Sequence, residues 1–258
     1  MESRRQSTRK SFDRIREMNR EDLDHFFEST LPSMLEEEAL AVMKNHYCSA
    51  MMLAAIARET RLTSHASVRR ALVSHRLTPQ GQAMKFVHYL RWHELLRLST
   101  DVMVPPPVRR AIEDQMKIRL AKVTLGEKIS SAGFCSRELA RALLREKDAR
   151  IFAALLRNQR MPEEYLLVHI DSEAAGPEHL RMISEHPKWS CRYSIRRAIA
   201  MNPRTPRAVA ASVLVHLKRT DLEELRKRPQ TSRYLLACME RLGLLDEGPP
   251  SGPPGRRV

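Results

Sequence analysis

Three stretches of the sequence place two arginines after a branched apolar residue: Val68-Arg69-Arg70-Ala71, Val108-Arg109-Arg110-Ala111 and Ile195-Arg196-Arg197-Ala198. With Val68, Val108 and Ile195 facing a core, the arginine pairs sit at equivalent places on successive structural units. Stacked helices lie about 8–10 Å apart, so equivalent pairs would line up as a basic ladder for an acidic partner. The series is broken where Phe152 and Ala153 replace the pair, with Arg150, Arg157 and Arg160 nearby. The competing expectation is that these arginines are simply solvated, or pair with acids on the adjacent helix such as Glu113, Glu138 and Asp148.

Other chemistry is thinly represented. His88 and His93 are five apart in the chain, a poor spacing for one helix face. The run His93-Glu94-Leu95-Leu96-Arg97 opens like the zinc-protease H-E-x-x-H, but Arg97 stands where the second ligand belongs. His46, His169 and His216 read as packing or helix-surface residues. Cys48, Cys135, Cys191 and Cys238 are far apart and form no C-x-x-C. A catalytic thiolate needs a placed base, and none is identifiable for these thiols; buried small cysteines are common in helical repeats. Neither G-x-G-x-x-G nor G-x-x-x-x-G-K-[ST] occurs. The expectation is a chain without catalytic, metal or cofactor residues, not an enzyme, with no cofactor and no small-molecule substrate.

What must position the arginines is visible around the third pair. In "IRRAIAMNPRTPRAVAASVL" the apolar residues Ile195, Ala198 and Ile199, then Val209, Ala210, Val213, Leu214 and Leu217, recur at three- and four-residue steps. That spacing predicts two amphipathic helices. Asn202 precedes Pro203 and is pushed out of the α region, so the first helix must stop near Met201. Thr205 is expected as N-cap of the next helix, with Pro206 in its first position. "VRRALVSHRLTP" places His75 and Thr78-Pro79 in the same roles. "IFAALLRNQRMP" supplies Asn158 and Pro162, with Met161 in place of the threonine and Glu163 and Glu164 adding negative charge to the first turn. "LAAIARETRLTS" and "LGEKISSAGFCS" are weaker versions with serine in place of proline.

Val68, Val108, Ile151, Ile195 and Leu235 each open a similar apolar pattern, at steps of 40, 43, 44 and 40. Periods of about 40–47 residues mark arrays of two- or three-helix repeats. Residues 78–98 and 205–225 also share an apolar skeleton at a constant offset of 127: Val87 with Leu214, Leu90 with Leu217, Leu95 with Leu222, Leu98 with Leu225. One amphipathic pair cannot bury its apolar face alone, and stacking neighbours creates a continuous core.

The Asn-Pro-x-Thr-Pro corner, helix on either side, resembles the leucine-rich repeat variant motif, and the period resembles HEAT-like repeats. The likeness is strongest over residues 190–226 and partial over 64–98 and 148–170. It implies an α-solenoid, a class used mostly for binding. The best-known member of the first group carries a cysteine-bound iron–sulfur cluster. This chain has no matching cysteine group, so the cluster is not expected here.

Composition agrees with helices. The 258 residues are 42% hydrophobic and 29% charged, with 5% aromatics and 8 glycines. Alternating β-branched runs are missing. The expected fold is all-α, a right-handed α-solenoid of stacked short helices with about 12–14 of them. Residues 1–20 read as a basic arm, disordered or loosely helical, 21–245 as the helical repeat domain and 246–258 as a proline- and glycine-rich disordered tail. "MVPPPV" (103–108) and "DSEAAGP" (171–177) read as connectors, and Pro32-Ser33 as the start of the helix that contains Glu36, Glu37 and Glu38. The amino terminus has no apolar segment of a signal peptide, and no run of about 18 apolar residues occurs. A cytoplasmic protein with reduced thiols is expected. The net charge is +14, from 45 lysines and arginines against 31 acids. The functional expectation is a non-catalytic scaffold that binds an acidic protein partner through Arg69, Arg70, Arg109, Arg110, Arg196 and Arg197. Nucleic acid is the alternative partner for the same surface.

Overall fold

The computed structural model describes residues 12–244. Among them all regular structure is helical: eighteen α-helices lie between Arg20 and Arg241, with one 3-10 turn at Leu120–Lys122. The all-α class is as expected, but there are more helices than 12–14. Periodicity sees amphipathic stretches, whereas helices as short as Thr60–Thr63 show no period. Residues 12–17, assigned to the arm from sequence, are also helical, and Ile15 is buried. Residues 1–11 and 245–258, which hold the rest of the arm and the tail, lie outside the described residues.

The chain divides into two compact units, Met1–Ser131 and Ala132–Val258. The first contains α1 (Arg20–Thr30), α2 (Glu36–Lys44), α3 (Ala50–Arg58), α4 (Thr60–Thr63), α5 (Ala66–Ser74), α6 (Gln80–Val87), α7 (Trp92–Ser99) and α8 (Pro106–Arg119), and α9 (Leu125–Ala132) ends at the division. The second contains α10 (Arg137–Leu143), α11 (Ala149–Leu156), α12 (Glu163–Asp171), α13 (Pro177–Glu185), α14 (Pro187–Ser190), α15 (Tyr193–Met201), α16 (Arg207–Leu214), α17 (Arg219–Lys227) and α18 (Arg233–Arg241).

The offset of 127 extends well beyond the stretch where the sequence shows it. Helices α2 to α6 and α12 to α16 correspond at both ends under that shift, and α7 and α8 share their starts with α17 and α18. Packing follows the same plan in each unit. Helix α5 packs on α2, α3 and α6, and α15 packs on α12, α13 and α16. Helix α8 packs on α6, and α18 on α16. The residues used for the shorter period, Val68, Val108, Ile151, Ile195 and Leu235, are each the third residue of a helix and are all buried. Helices as short as these are marginal in isolation. Buried Leu, Ile and Val side chains such as Leu53, Ile56, Leu72, Leu180, Ile183 and Ile199 hold them, each worth about 1.5–3 kcal/mol.

The corner residues join successive turns of this plan. Helix α15 ends at Met201, and the Asn202 side chain accepts from Arg204 N–H at 2.8 Å and donates to the Ile170 carbonyl at the end of α12. Asn158 accepts from Arg160 N–H and donates to the Ala132 and Cys135 carbonyls. In the first unit Asn45 accepts from Tyr47 N–H and donates to the Ile15 and Met18 carbonyls. His75 accepts from Leu77 N–H through Nδ1 and bonds the Met43 backbone. One polar side chain thus stops its own helix and ties it to an earlier one.

The proline corners differ from expectation in one respect. Pro206 is itself the N-cap of α16, because its carbonyl accepts from Ala210 N–H at 2.9 Å. The Thr205 hydroxyl instead donates back to the Ile199 carbonyl at 2.7 Å and closes the helix before it. Pro79, Pro105 and Pro162 are N-caps as well. Helix α2 starts later than Pro32-Ser33, at Glu36, where the Glu38 carboxylate accepts from Leu35 N–H at 2.8 Å.

Candidate partner-binding surface

The three arginine pairs occupy the fourth and fifth positions of α5, α8 and α15. A cation there opposes the helix dipole and gains from a local acceptor. In two pairs the acceptors are built in. Arg69 donates to the Thr63 carbonyl at 3.2 Å and lies over the Tyr89 ring, and Arg196 donates to the Ser190 carbonyl. Each reaches back to the end of the short helix before it. Arg70 pairs with Glu94 at 3.2 Å. Arg197 pairs with Asp221 at 2.8 Å and Glu224 at 2.6 Å. Glu94 on α7 and Asp221 on α17 stand at the same sequence separation from their arginines. The hydrogen bond donated by the Tyr193 hydroxyl, together with the Arg197 pair, holds the Asp221 carboxyl below its ordinary range.

The Arg109–Arg110 pair has neither acceptor. At that same separation after Arg110 stands Phe134, which carries no carboxylate. Among the described residues no hydrogen bond or ion pair holds either side chain, and Arg110 is exposed. The turn just before them exposes Val102 at 81% and Met103 at 61%. Under the 127 shift these four positions become Pro229, Gln230, Leu236 and Ala237, so the helix plan requires neither the charges nor the exposed hydrocarbon.

The acids named from sequence are placed differently. Asp148 closes on Arg150 at 2.9 Å, which holds its carboxyl down near 2, and it caps α11 through Arg150 N–H. Glu113 lies beside the free pair on α8, and Glu138 is on α10. Arg160 donates to the Phe134 carbonyl. Sequence reasoning missed Glu94, Asp221 and Glu224, although the equal separation of the first two from Arg70 and Arg197 is a signal that could have found them.

Glu94 of the H-E-L-L-R run is buried, paired with Arg70 and bonded to Arg91 N–H, so it braces α7. Burial pushes the Cys48 thiol up to about 11 and the Cys135 thiol up to about 12, leaving both protonated and unreactive at neutral pH. Cys238 is buried and Cys191 exposed. Among the described residues no three His, Cys, Asp or Glu side chains are grouped to hold a metal, and no helix is long and apolar enough to cross a membrane. A groove of about 620 Å³ runs beside Tyr193, Ser194 and Arg197, and its cations Arg197 and Arg228 are both held by Glu224. No family model matches the sequence, no curated protein is significantly similar to it, and no solved structure resembles it significantly.

Proposed function

We propose that this chain is a right-handed, HEAT-like or leucine-rich-repeat-variant-like α-solenoid that acts as a non-catalytic scaffold, docking an acidic protein partner on the surface around Arg109 and Arg110. The observation that carries this reading is the contrast among the three arginine pairs: two are consumed by internal acceptors, and the third is not. A guanidinium pair that no carboxylate of the fold engages offers its donors to carboxylates supplied from outside. Val102 and Met103 add apolar contact, and an apolar centre with a charged rim is the composition of protein interfaces. Arg69, Arg70, Arg196 and Arg197 then serve the fold first.

The test is the double variant Arg109→Leu with Arg110→Ala, which installs the residues of positions 236 and 237. It should fold like the wild type and lose partners that the wild type captures, whereas Arg70→Ala should keep them. Equal capture by the double variant contradicts the reading. The net charge of +14 favours nucleic acid as a second reading. A mobility shift of duplex DNA that is strong at low salt and collapses at physiological salt would support that reading in place of the first.

A further inference from the structure

The core of the second unit contains two histidines that the helix plan does not need. His169 on α12 and His179 on α13 are buried, at 4% and 5% exposure. Their rings meet through Nε2 of His169 and Nδ1 of His179 at 3.1 Å. Phe152 of α11 stacks on His179 with centroids 4.1 Å apart and planes at 14°, and it lies 5.0 Å from His169. At the corresponding positions of the first unit, on helices of the same length, stand Val42 and Met52, both buried.

We propose that the His169–His179 pair is an acid-sensitive latch: protonation breaks the contact between α12 and α13 and loosens the second unit, while the hydrocarbon-filled equivalent in the first unit holds. The hydrogen bond needs one N–H and one lone pair, so it requires at least one neutral imidazole. When both rings are protonated, two N–H groups and two positive charges face each other against a phenyl ring in a buried site. Burial pushes both rings below their ordinary value, His169 to about 4, and the neighbouring ring adds to the effect on His169.

The surrounding charges do little to offset this. Among the described residues, Glu178 on α13 favours protonated His179 but is outweighed by burial. On α12, Glu163 is held by Ser194 and Arg192, and Glu164 and Asp171 complete the helix's acids. Helix α13 also carries Arg181 and Glu185. From α11, Arg150 closes on Asp148, and Arg157 follows its end. Helix α14 brings Lys188, and α15 brings Tyr193, Arg196 and Arg197, engaged by Asp221, the Ser190 carbonyl and Glu224.

The experiment is amide hydrogen exchange on the full chain at pH 7 and pH 5, corrected for intrinsic rates, comparing residues 163–185 with 36–58. The latch predicts that exchange in 163–185 speeds up roughly tenfold more than in 36–58. In His169→Val with His179→Met the difference should vanish, and Val42→His with Met52→His should transfer acid sensitivity to 36–58. Equal acceleration of both stretches in the wild type, or a difference that survives in the folded double variant, overturns the proposal. Should that double variant not fold, the wild-type comparison and the reciprocal variant decide.

Discussion

Residues 36–112 and 163–239 build the same succession of helices with different side chains at the points where chemistry is possible. Leu53, Ile56, Ser67, Arg69, Arg70, Ala71, Thr78, Pro79, Ala83, Leu90, Leu95 and Leu98 recur unchanged at the equivalent positions of the second stretch. So does the brace beneath them, in which Ser67 donates to Glu36 and Ser194 to Glu163. What changes is informative. Val42 and Met52 become His169 and His179, Leu62 becomes Trp189, and the Arg109–Arg110 pair becomes Leu236 and Ala237. The plan thus separates residues that make the helices pack from residues a unit carries for another reason.

The largest expected effect lies at one of these exchanges. Trp189 is buried and donates through Nε1 to the Leu156 carbonyl at 2.9 Å. Trp189→Ala should cost about 3–5 kcal/mol in denaturant unfolding, while Trp189→Leu, the residue of the other unit, should recover much of it. A leucine variant as unstable as the alanine variant would break the equivalence of the two cores.

Next comes pH. In the folded state His169 is lowered from its ordinary 6.5 to about 4 by burial and by His179, so the neutral ring is favoured. The unfolded chain takes up protons first, and stability falls as pH drops from 6.5 toward 4, then levels off. The difference corresponds to about 3 kcal/mol at roughly 1.4 kcal/mol per unit. His75 in the first unit shifts in the same direction, by burial and by Arg76 against a bond to the Met43 backbone. Unfolding curves at pH 7 and 5 should therefore show both units weakened, and the second more.

A smaller effect separates the threonines of the two proline corners. Thr205→Val removes the donor from the Ile199 carbonyl and should cost about 1 kcal/mol. Thr78 is equally buried, but its hydroxyl bonds no protein group, so Thr78→Val should be nearly neutral in the same unfolding assay. Equal costs would mean that the hydroxyls act alike. The smallest difference is on the surface. Arg197→Ala should lose about 1 kcal/mol or less, because its ion pairs are partly exposed, and Arg110→Ala should lose nothing measurable.

How much of this the sequence discloses depends on the type of signal. Helix ends at Met201 and Ser74 are legible because proline and polar corner residues act locally on the backbone. The longer repeat is legible over 78–98 because Ala83, Leu90, Leu95 and Leu98 recur unchanged at 210, 217, 222 and 225. Toward α2 and α3 it is hidden, because Val42 and Met52 give way to histidines that no apolar pattern matches. Thr205 misleads because an N-cap and a hydroxyl that closes the preceding helix leave the same Thr-Pro trace. The acids opposite the arginines are hidden for another reason: Glu94 and Asp221 face them only once α7 and α17 have folded back. The free pair is visible only after the other two have been seen to be engaged.

Two arginine pairs are engaged within the fold and the third is not, and guanidinium reactivity reads out that contrast. In the folded protein, labelling with a dicarbonyl reagent followed by peptide mass spectrometry should modify Arg109 and Arg110 well before Arg69, Arg70, Arg196 and Arg197. The same two should become protected when an acidic partner is bound. Labelling of all six at one common rate would mean that the third pair is no more available than the other two.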